Sequence, residues 1–405
     1  NIVRGEIKIM IELVINKKDK TKEISLLEDQ ILIEHYEENG EEERKEGNIY
    51  LGIVKDIIPG MQSAFINIGT EKNSFIHLKD ILPKIDETKE KQTLEQTIIQ
   101  KEIKQNQKLL VQVKKDSNEK KGARVSTHIN LPSTYIVLMP DTDIVTISQK
   151  IEDKKEQERL IKIVRQNLSK DNGAIIRTSA ENKKEQEIIE DIKNTEKKWN
   201  EIKQKYEEQT KNEPIQLYKS ESIVEKIIID LIDKKIEKII LNDKEDYEEI
   251  KKLKTKYKEL KNTAIVVKDE ENIQNIYDLE KQIEKSKNRR IWLKCGGFIT
   301  IDKTEALTAI DVNTGKYTGN KNLNQTIYKV NEEATIEIAK QLRLRDIGGI
   351  IIIDYIDMKI QEDKEKIEKL LKECLKKDRT KTQVEGFTKL DLMEMTRKHI
   401  CSHQD

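Results

Sequence analysis

Asp311, Asn313 and Asp354 have the types and spacing for cation chemistry. Asp311 and Asn313 stand two residues apart in Ala309-Ile310-Asp311-Val312-Asn313, so in a strand both side chains leave on one side. Asp354 follows four consecutive isoleucines, Ile350 to Ile353, where an apolar run gives out. Two carboxylates at neighbouring strand ends can share a divalent cation. Their oxygen-rich, sulfur-free donor set suits magnesium, which keeps several waters and also reaches phosphate. A lone Asp at a strand end is more often a turn or cap residue, and Asp302 and Asp357 are candidates of the same kind. His35, His77, His128, His399 and His403 are scattered, without metal-ligand spacing or a catalytic dyad.

The elements that must position these groups are legible around them. Gly296 to Gly315 reads as a β-hairpin whose second strand ends in Asp311 and Asn313. Ile327, Val330, Ala334, Ile338 and Leu342 recur at three- and four-residue steps, the apolar stripe of a helix. The isoleucine run predicts a strand buried on both faces. In open α/β sheets ligands bind at the carboxyl ends of strands, where Asp354 falls.

Upstream, Ile49–Val54, Ser63–Ile68, Phe75–Leu78 and Leu109–Val113 are short strand patterns separated by Pro59-Gly60 and Gly69-Thr70, the signature of a small β-barrel. Alternation puts Phe65 beside Ser63 and Asn67, and Phe75 beside His77, on polar faces. Such aromatics are either stacking platforms for single-stranded bases or part of a second core between domains; the pattern alone weighs these equally. Lys114, Lys115, Lys120, Lys121 and Arg124 form a local basic cluster. Strands are expected at Tyr135–Met139, Ala174–Arg177, Lys238–Leu241 and Ala264–Val267, and a charged helix at Lys183–Gln209. Arg177-Thr178, at a strand end, pairs a guanidinium with a hydroxyl, groups that can grip a phosphate.

The bulk properties narrow the class. The 405 residues suggest two to four domains. Lys plus Arg and Asp plus Glu number 76 each, so a nucleic-acid site must be a local patch, not a global field. Charged residues reach 38% and aromatics 4%, yet apolar runs recur with strand and helix spacing, which argues against general disorder. Cys295, Cys374 and Cys401 imply no disulfide framework. No apolar run is long enough for a membrane span, Glu6, Lys8 and Glu12 break any signal-peptide core, and a cytoplasmic location is expected.

The strings NIYLGIVKDIIPGMQSAFINIG, LPSTYIVLMP, IIRTSAE, TEALTAIDVNTG, EIAKQLRLRDIGGIIIIDYIDM and LMEMTRK resemble the ribonuclease E/G family, its ribonuclease G branch in particular. The resemblance covers nearly the whole chain. It implies a magnesium-dependent endoribonuclease that cuts single-stranded, AU-rich RNA to 5′-phosphate and 3′-hydroxyl products, in ribosomal RNA maturation and messenger RNA turnover. It implies an α+β and α/β multidomain fold: residues 1–46 and 216–290 as two parts of an RNase H-like domain, 47–130 as an inserted S1-type OB barrel, 131–215 as a 5′-sensor region, and 291–405 as a DNase I-like catalytic domain. By the same resemblance Asp311 and Asp354 match the magnesium ligands and Asn313 a residue near the scissile phosphate. Phe65, Phe75 and Lys121 match RNA-contacting positions. Arg177, Thr178 and Val137 match the pocket for a 5′-monophosphate, with Ser133 where relatives carry Gly, and a preference for monophosphorylated over triphosphorylated ends follows. The family continues past LMEMTRK into a Cys-x-x-Cys element that binds zinc between subunits. Cys401 has no nearby cysteine, so zinc is not expected, whereas a homodimer is. The competing readings are a non-catalytic S1-domain RNA-binding protein, a scaffold in an RNA-processing assembly, and a metal-dependent DNase.

Overall fold

The computed structural model describes residues 9–39, 44–81, 98–117, 121–232, 234–269, 272–315 and 323–400. The architecture is mixed α+β, divided into two compact units. Of the described residues, one joins 9–39 with 234–400; the other spans 44–232.

Ile11–Lys18 (β1), Thr21–Glu28 (β2) and Ile31–Asn39 (β3) form an antiparallel meander. The turn between β2 and β3 puts Asp29 and Gln30 both at positive φ, the geometry whose twist matches a hairpin. The second strand was not among the sequence expectations, because its apolar residues are flanked by charge.

In the unit spanning 44–232, Ile49–Ile58 (β4), Ser63–Asn67 (β5), Ser74–His77 (β6), Lys108–Lys115 (β7) and Arg124–Ser126 (β8) close a barrel in the order β4-β5-β6-β8-β7-β4. Its interior is filled by Val54, Ala64, Ile66, Ile76, Val111, Val113 and Val125, together with Ile99 from the short helix Ile99–Glu102 (α1). Gly122 is required at the seam: a Cβ there would lie 1.9 Å from the Asn73 carbonyl oxygen, so only glycine lets β8 approach β6.

Leu131–Pro132 (β9), Ile136–Pro140 (β10), Val145–Ile147 (β11) and Asn172–Ile176 (β12) make a four-stranded sheet in the order β11-β12-β10-β9. Lys154–Asn167 (α2) and Glu185–Glu207 (α3) bury Leu160, Ile163, Val164, Ile188, Ile192 and Trp199 in the core that covers it. Ile215–Tyr218 (β13) then returns to pair with β4, and Ile223–Asp230 (α4) follows, capped by the Ser222 hydroxyl.

In the other unit, Ile236–Leu241 (β14), Lys244–Lys256 (α5), Ala264–Val267 (β15) and Leu279–Ser286 (α6) complete the first sheet. Its strand order is β15-β14-β1-β2-β3, with β1, β14 and β15 parallel.

The last sheet carries the acidic residues. Arg290–Trp292 (β16), Phe298–Lys303 (β17), Leu307–Asn313 (β18), Gly349–Asp354 (β19), Thr382–Phe387 (β20) and Leu392–Arg397 (β21) run in the order β16-β17-β18-β19-β21-β20. Leu323–Leu344 (α7) and Gln361–Leu375 (α8) seal one face over Ile299, Ile310, Val312, Ile351, Ile353 and Met393. Burying each such side chain contributes about 1.5–3 kcal/mol. The expectation that Ile350–Ile353 is buried on both faces is corrected. Ile351 and Ile353 are fully buried, but Ile350 is 51% exposed and Ile352 only partly covered, because both helices lie on the same side.

Candidate active site

Strands β18 and β19 are parallel neighbours, and their register puts Asp311 directly beside Asp354. Both carboxylates are exposed on the sheet's open face. Asn313 lies on that face too and donates from Nδ2 to Asp311 Oδ2 at 2.5 Å. Just beyond Asn313, Gly315 takes φ +59, and a Cβ there would sit 2.5 Å from the Gly296 carbonyl oxygen.

Helix α7 fixes the exit of β19 from behind. The buried Asn331 amide donates to the Ile356 carbonyl at 2.8 Å and accepts from the Ile356 N–H at 3.1 Å. Thr335 and Tyr355 share a buried hydroxyl contact at 2.9 Å. The backbone that carries Asp354 and Asp357 is therefore anchored by satisfied polar groups at Tyr355 and Ile356. Partial burial, then the neighbouring Asp311 and Asp357 carboxylates, push the Asp354 carboxyl above its ordinary range. Among the described residues, neither Asp311 nor Asp354 makes an ion pair. By contrast Asp302, a candidate of the same kind in the sequence, is held bidentately by Arg289 at 2.5 and 2.8 Å and lies two residues from the row.

Like charges side by side, with no cation to offset them, cost the fold stability unless something positive completes them. The pair thus fits a hard divalent ion on donor chemistry: oxygen only, open to solvent, and repelling in the ion's absence. A second acidic group, Glu23, His35 and Glu37, brings one ligand atom each within 4.8 Å. Its atoms already have partners: Glu23 accepts from Asn16 at 2.7 Å and from Gln274, and Glu37 pairs with Lys287 at 3.1 Å and His35 at 3.3 Å.

On the barrel, Phe65 and Phe75 are direct cross-strand partners, ring centroids 6.2 Å apart and edge to face. Both stay outside the barrel's buried core. Lys121 is exposed and precedes Gly122-Ala123, where the Ala123 carbonyl accepts from the Phe75 N–H. Phe65 and Phe75 are thus neighbours, and Lys121 lies two residues before Ala123, the hydrogen-bond partner of Phe75. The wider basic cluster is smaller than the sequence suggests: Arg124 is bridged to Asp80 at 2.8 Å, Lys114 donates to Gln112 at 2.6 Å, and Lys120 lies outside the described residues.

Arg177 leaves the end of β12 and donates from Nη1 to the Ser133 carbonyl at 2.7 Å and from Nη2 to Asp230. The Thr178 hydroxyl contacts Ser148 Oγ at 2.9 Å. Val137, one strand over, pairs with Ile175. Ser133 Oγ bonds Asp191 at 2.6 Å, and Asp191 also accepts from the Thr134 and Tyr135 N–H groups. Burial raises the Asp191 carboxyl, partly offset by these donors. Sequence reasoning missed Asp191 and Asp230. Asp191 carried a signal, a carboxylate between the apolar positions Ile188 and Ile192 of α3; Asp230 carried none.

The sequence has relatives among known proteins. The Ribonuclease E/G family model matches residues 130–400. Ribonuclease G of Escherichia coli (strain K12) is 38% identical over 391 residues, covering 96% of this chain and 79% of the relative. The chain belongs to the ribonuclease E/G family. Ribonuclease G of Haemophilus influenzae is likewise 38% identical, over 395 residues. Ribonuclease E of Synechocystis is 34% identical over 87% of this chain, which spans 52% of that longer relative. As a member of the ribonuclease E/G family the chain is an endoribonuclease of RNA processing. Among the described residues no helix is long and apolar enough to cross a membrane. The end of the chain that carries Cys401 and His403 lies outside the described residues.

Proposed function

We propose that this endoribonuclease hydrolyses single-stranded, AU-rich RNA with magnesium held by Asp311 and Asp354, leaving 5′-phosphate and 3′-hydroxyl ends. The observation that carries the reading is the adjacent, uncompensated carboxylate pair on an open sheet face. When bound, magnesium supplies charge to polarise a phosphoryl oxygen and to lower the pKa of a water molecule.

The chain's own groups do the rest. Asp311 also accepts from Asn313, so that amide is pre-aimed, and its second N–H is free to donate to a phosphate oxygen beside the pair. Cutting the P–O3′ bond leaves the phosphate on the downstream fragment. Phe65 and Phe75, both half-buried, offer ring surface to bases, and Lys121 a cation to the backbone. Arg177 and Thr178 receive the terminal 5′-phosphate beside Val137 and Ser133. Arg177 would exchange Asp230 for the phosphate, which favours the less crowded monophosphate.

The strand order β3-β2-β1-β14-β15 supports the RNase H-like reading of residues 1–46 and 216–290, interrupted by the closed barrel of 47–130 and the sensor region of 131–215. The one-sided sheet of 291–405 supports a DNase I-like catalytic half. A homodimer acting in the cytoplasm completes the proposal.

Its test is cleavage of one AU-rich RNA bearing either a 5′-monophosphate or a 5′-triphosphate, with magnesium or with chelator, followed by end-group analysis. Magnesium-dependent cuts, 3′-hydroxyl products and faster cutting of the monophosphate are expected. Undiminished cleavage in chelator, or equal rates on both ends, would refute the corresponding part.

A further inference from the structure

The open face of the catalytic sheet does not end at the carboxylates. Antiparallel register carries it outward: Asp311 opposes Thr300, which opposes Arg290, and Asn313 opposes Phe298, which opposes Trp292. Directly opposed residues share a face. One strand from Asn313 there is therefore a phenylalanine, and two strands away, roughly 10 Å, a tryptophan.

These side chains are arranged as a unit. The Trp292 and Phe298 rings meet edge to face at 5.3 Å between centroids. The Arg290 guanidinium lies 4.4 Å from the Phe298 centroid, where a cation is held by the ring. Neither ring joins the core that α7 and α8 seal on the opposite face. Trp292 is 56% exposed, whereas the chain's other tryptophan, Trp199, is buried at 5%. Leaving the largest apolar side chain in water beside a held guanidinium has no benefit to the fold that these contacts account for.

We infer that Trp292 and Phe298 form a stacking platform for a nucleobase flanking the scissile phosphate, with Arg290 holding the Phe298 ring and offering charge to the backbone. The inference rests on the reading of Asp311 and Asp354 as the reaction centre. An exposed π-face beside a guanidinium, continuous with the carboxylates, matches single-stranded RNA: rings for bases, cation for phosphate. The platform lies on the same sheet as the reacting groups, so it fixes one nucleotide's distance from the cut. The Phe65–Phe75 pair belongs to the barrel and cannot serve that purpose in the same way.

The test uses the full chain, a short AU-rich RNA with a 5′-monophosphate and one cut site, and the same RNA with a single abasic residue at each flanking position. Without magnesium, the RNA should quench the Trp292 emission, and one abasic position should abolish the quench. With magnesium, Trp292→Ala should raise KM by roughly 5- to 100-fold with a smaller change in kcat, and Trp292→Phe should restore most of it. The abasic residue that weakens the wild type should cost Trp292→Ala nothing further, a coupling that general structural damage would not produce. Unchanged KM with no quench would overturn the platform. So would a Trp292→Ala protein whose only change is its oligomeric mass, since the ring would then face a second copy. A wild type that is quenched but does not cut would refute the reaction centre and leave the platform standing.

Discussion

The two ends of strand β19 treat charge in opposite ways. At its start the charges are buried and matched. Arg397, wholly inaccessible, is gripped by Asp346 at 2.8 Å and Asp378 at 2.7 Å. Close by, the buried Glu34 is clasped by Arg343 and Arg379, each at 2.6 Å, and accepts from the Tyr36 hydroxyl at 2.8 Å. At the far end Asp311, Asp354 and Asp357 are exposed, alike in sign and without a cationic partner among the described residues. The first arrangement is what a fold does with charges it must bury. The second contributes nothing to the fold, and so marks where charge is kept for a ligand.

Glu34→Gln sharpens this contrast most. It leaves two buried guanidiniums without their carboxylate and should cost about 3–5 kcal/mol in denaturant unfolding; a loss below 1 kcal/mol would mean the clasp is ornamental. Acid should reproduce much of that loss. Burial alone would raise the Glu34 carboxyl, but Arg379 and Arg343 outweigh it and hold it at about 2, against 4.5 ordinarily. With the folded value depressed, the stabilisation is complete above about 4.5 and fades as pH falls toward 2. Melting temperature against pH should therefore drop over that window in the wild type and be flatter in Glu34→Gln. Asn331→Ala comes next: it strands both polar groups of Ile356, at roughly 1–3 kcal/mol each, and should lower kcat along with stability. A variant that loses stability at unchanged kcat would show that the exit of β19 needs no such anchor. The smallest effect is the most telling in sign. Asp357→Asn removes a like charge beside Asp354 and should stabilise the chain by about 0.2–1 kcal/mol, read as a slight rise in melting temperature.

The same contrast explains what the sequence could and could not disclose. The hairpin β17–β18, helix α7 and the strand ending at Asp354 were legible because spacing is local information: the α7 stripe and the Asp311–Asn313 alternation both span a few residues. Matched charges were not legible, because Glu34 meets Arg343 across 309 positions and Arg177 meets Asp230 across 53. Nor could the isoleucine run disclose which side would be covered, since periodicity is silent when every residue is apolar. The Ile350 surface came from α7 and α8 packing together on one face. The edge strands β16 and β20, and β21 between β20 and β19, gave little pattern, and with β16 the exposure of Trp292 stayed hidden.

The most direct test of the account is cleavage by Asp354→Asn, with RNA affinity and melting temperature measured on the same preparation. The account predicts a loss of roughly a thousandfold or more in kcat, RNA binding kept, and a melting temperature equal to or slightly above the wild type, because a repulsion has been relieved. Near wild-type cutting in magnesium would contradict it, and the reaction centre would have to be sought elsewhere on the molecule.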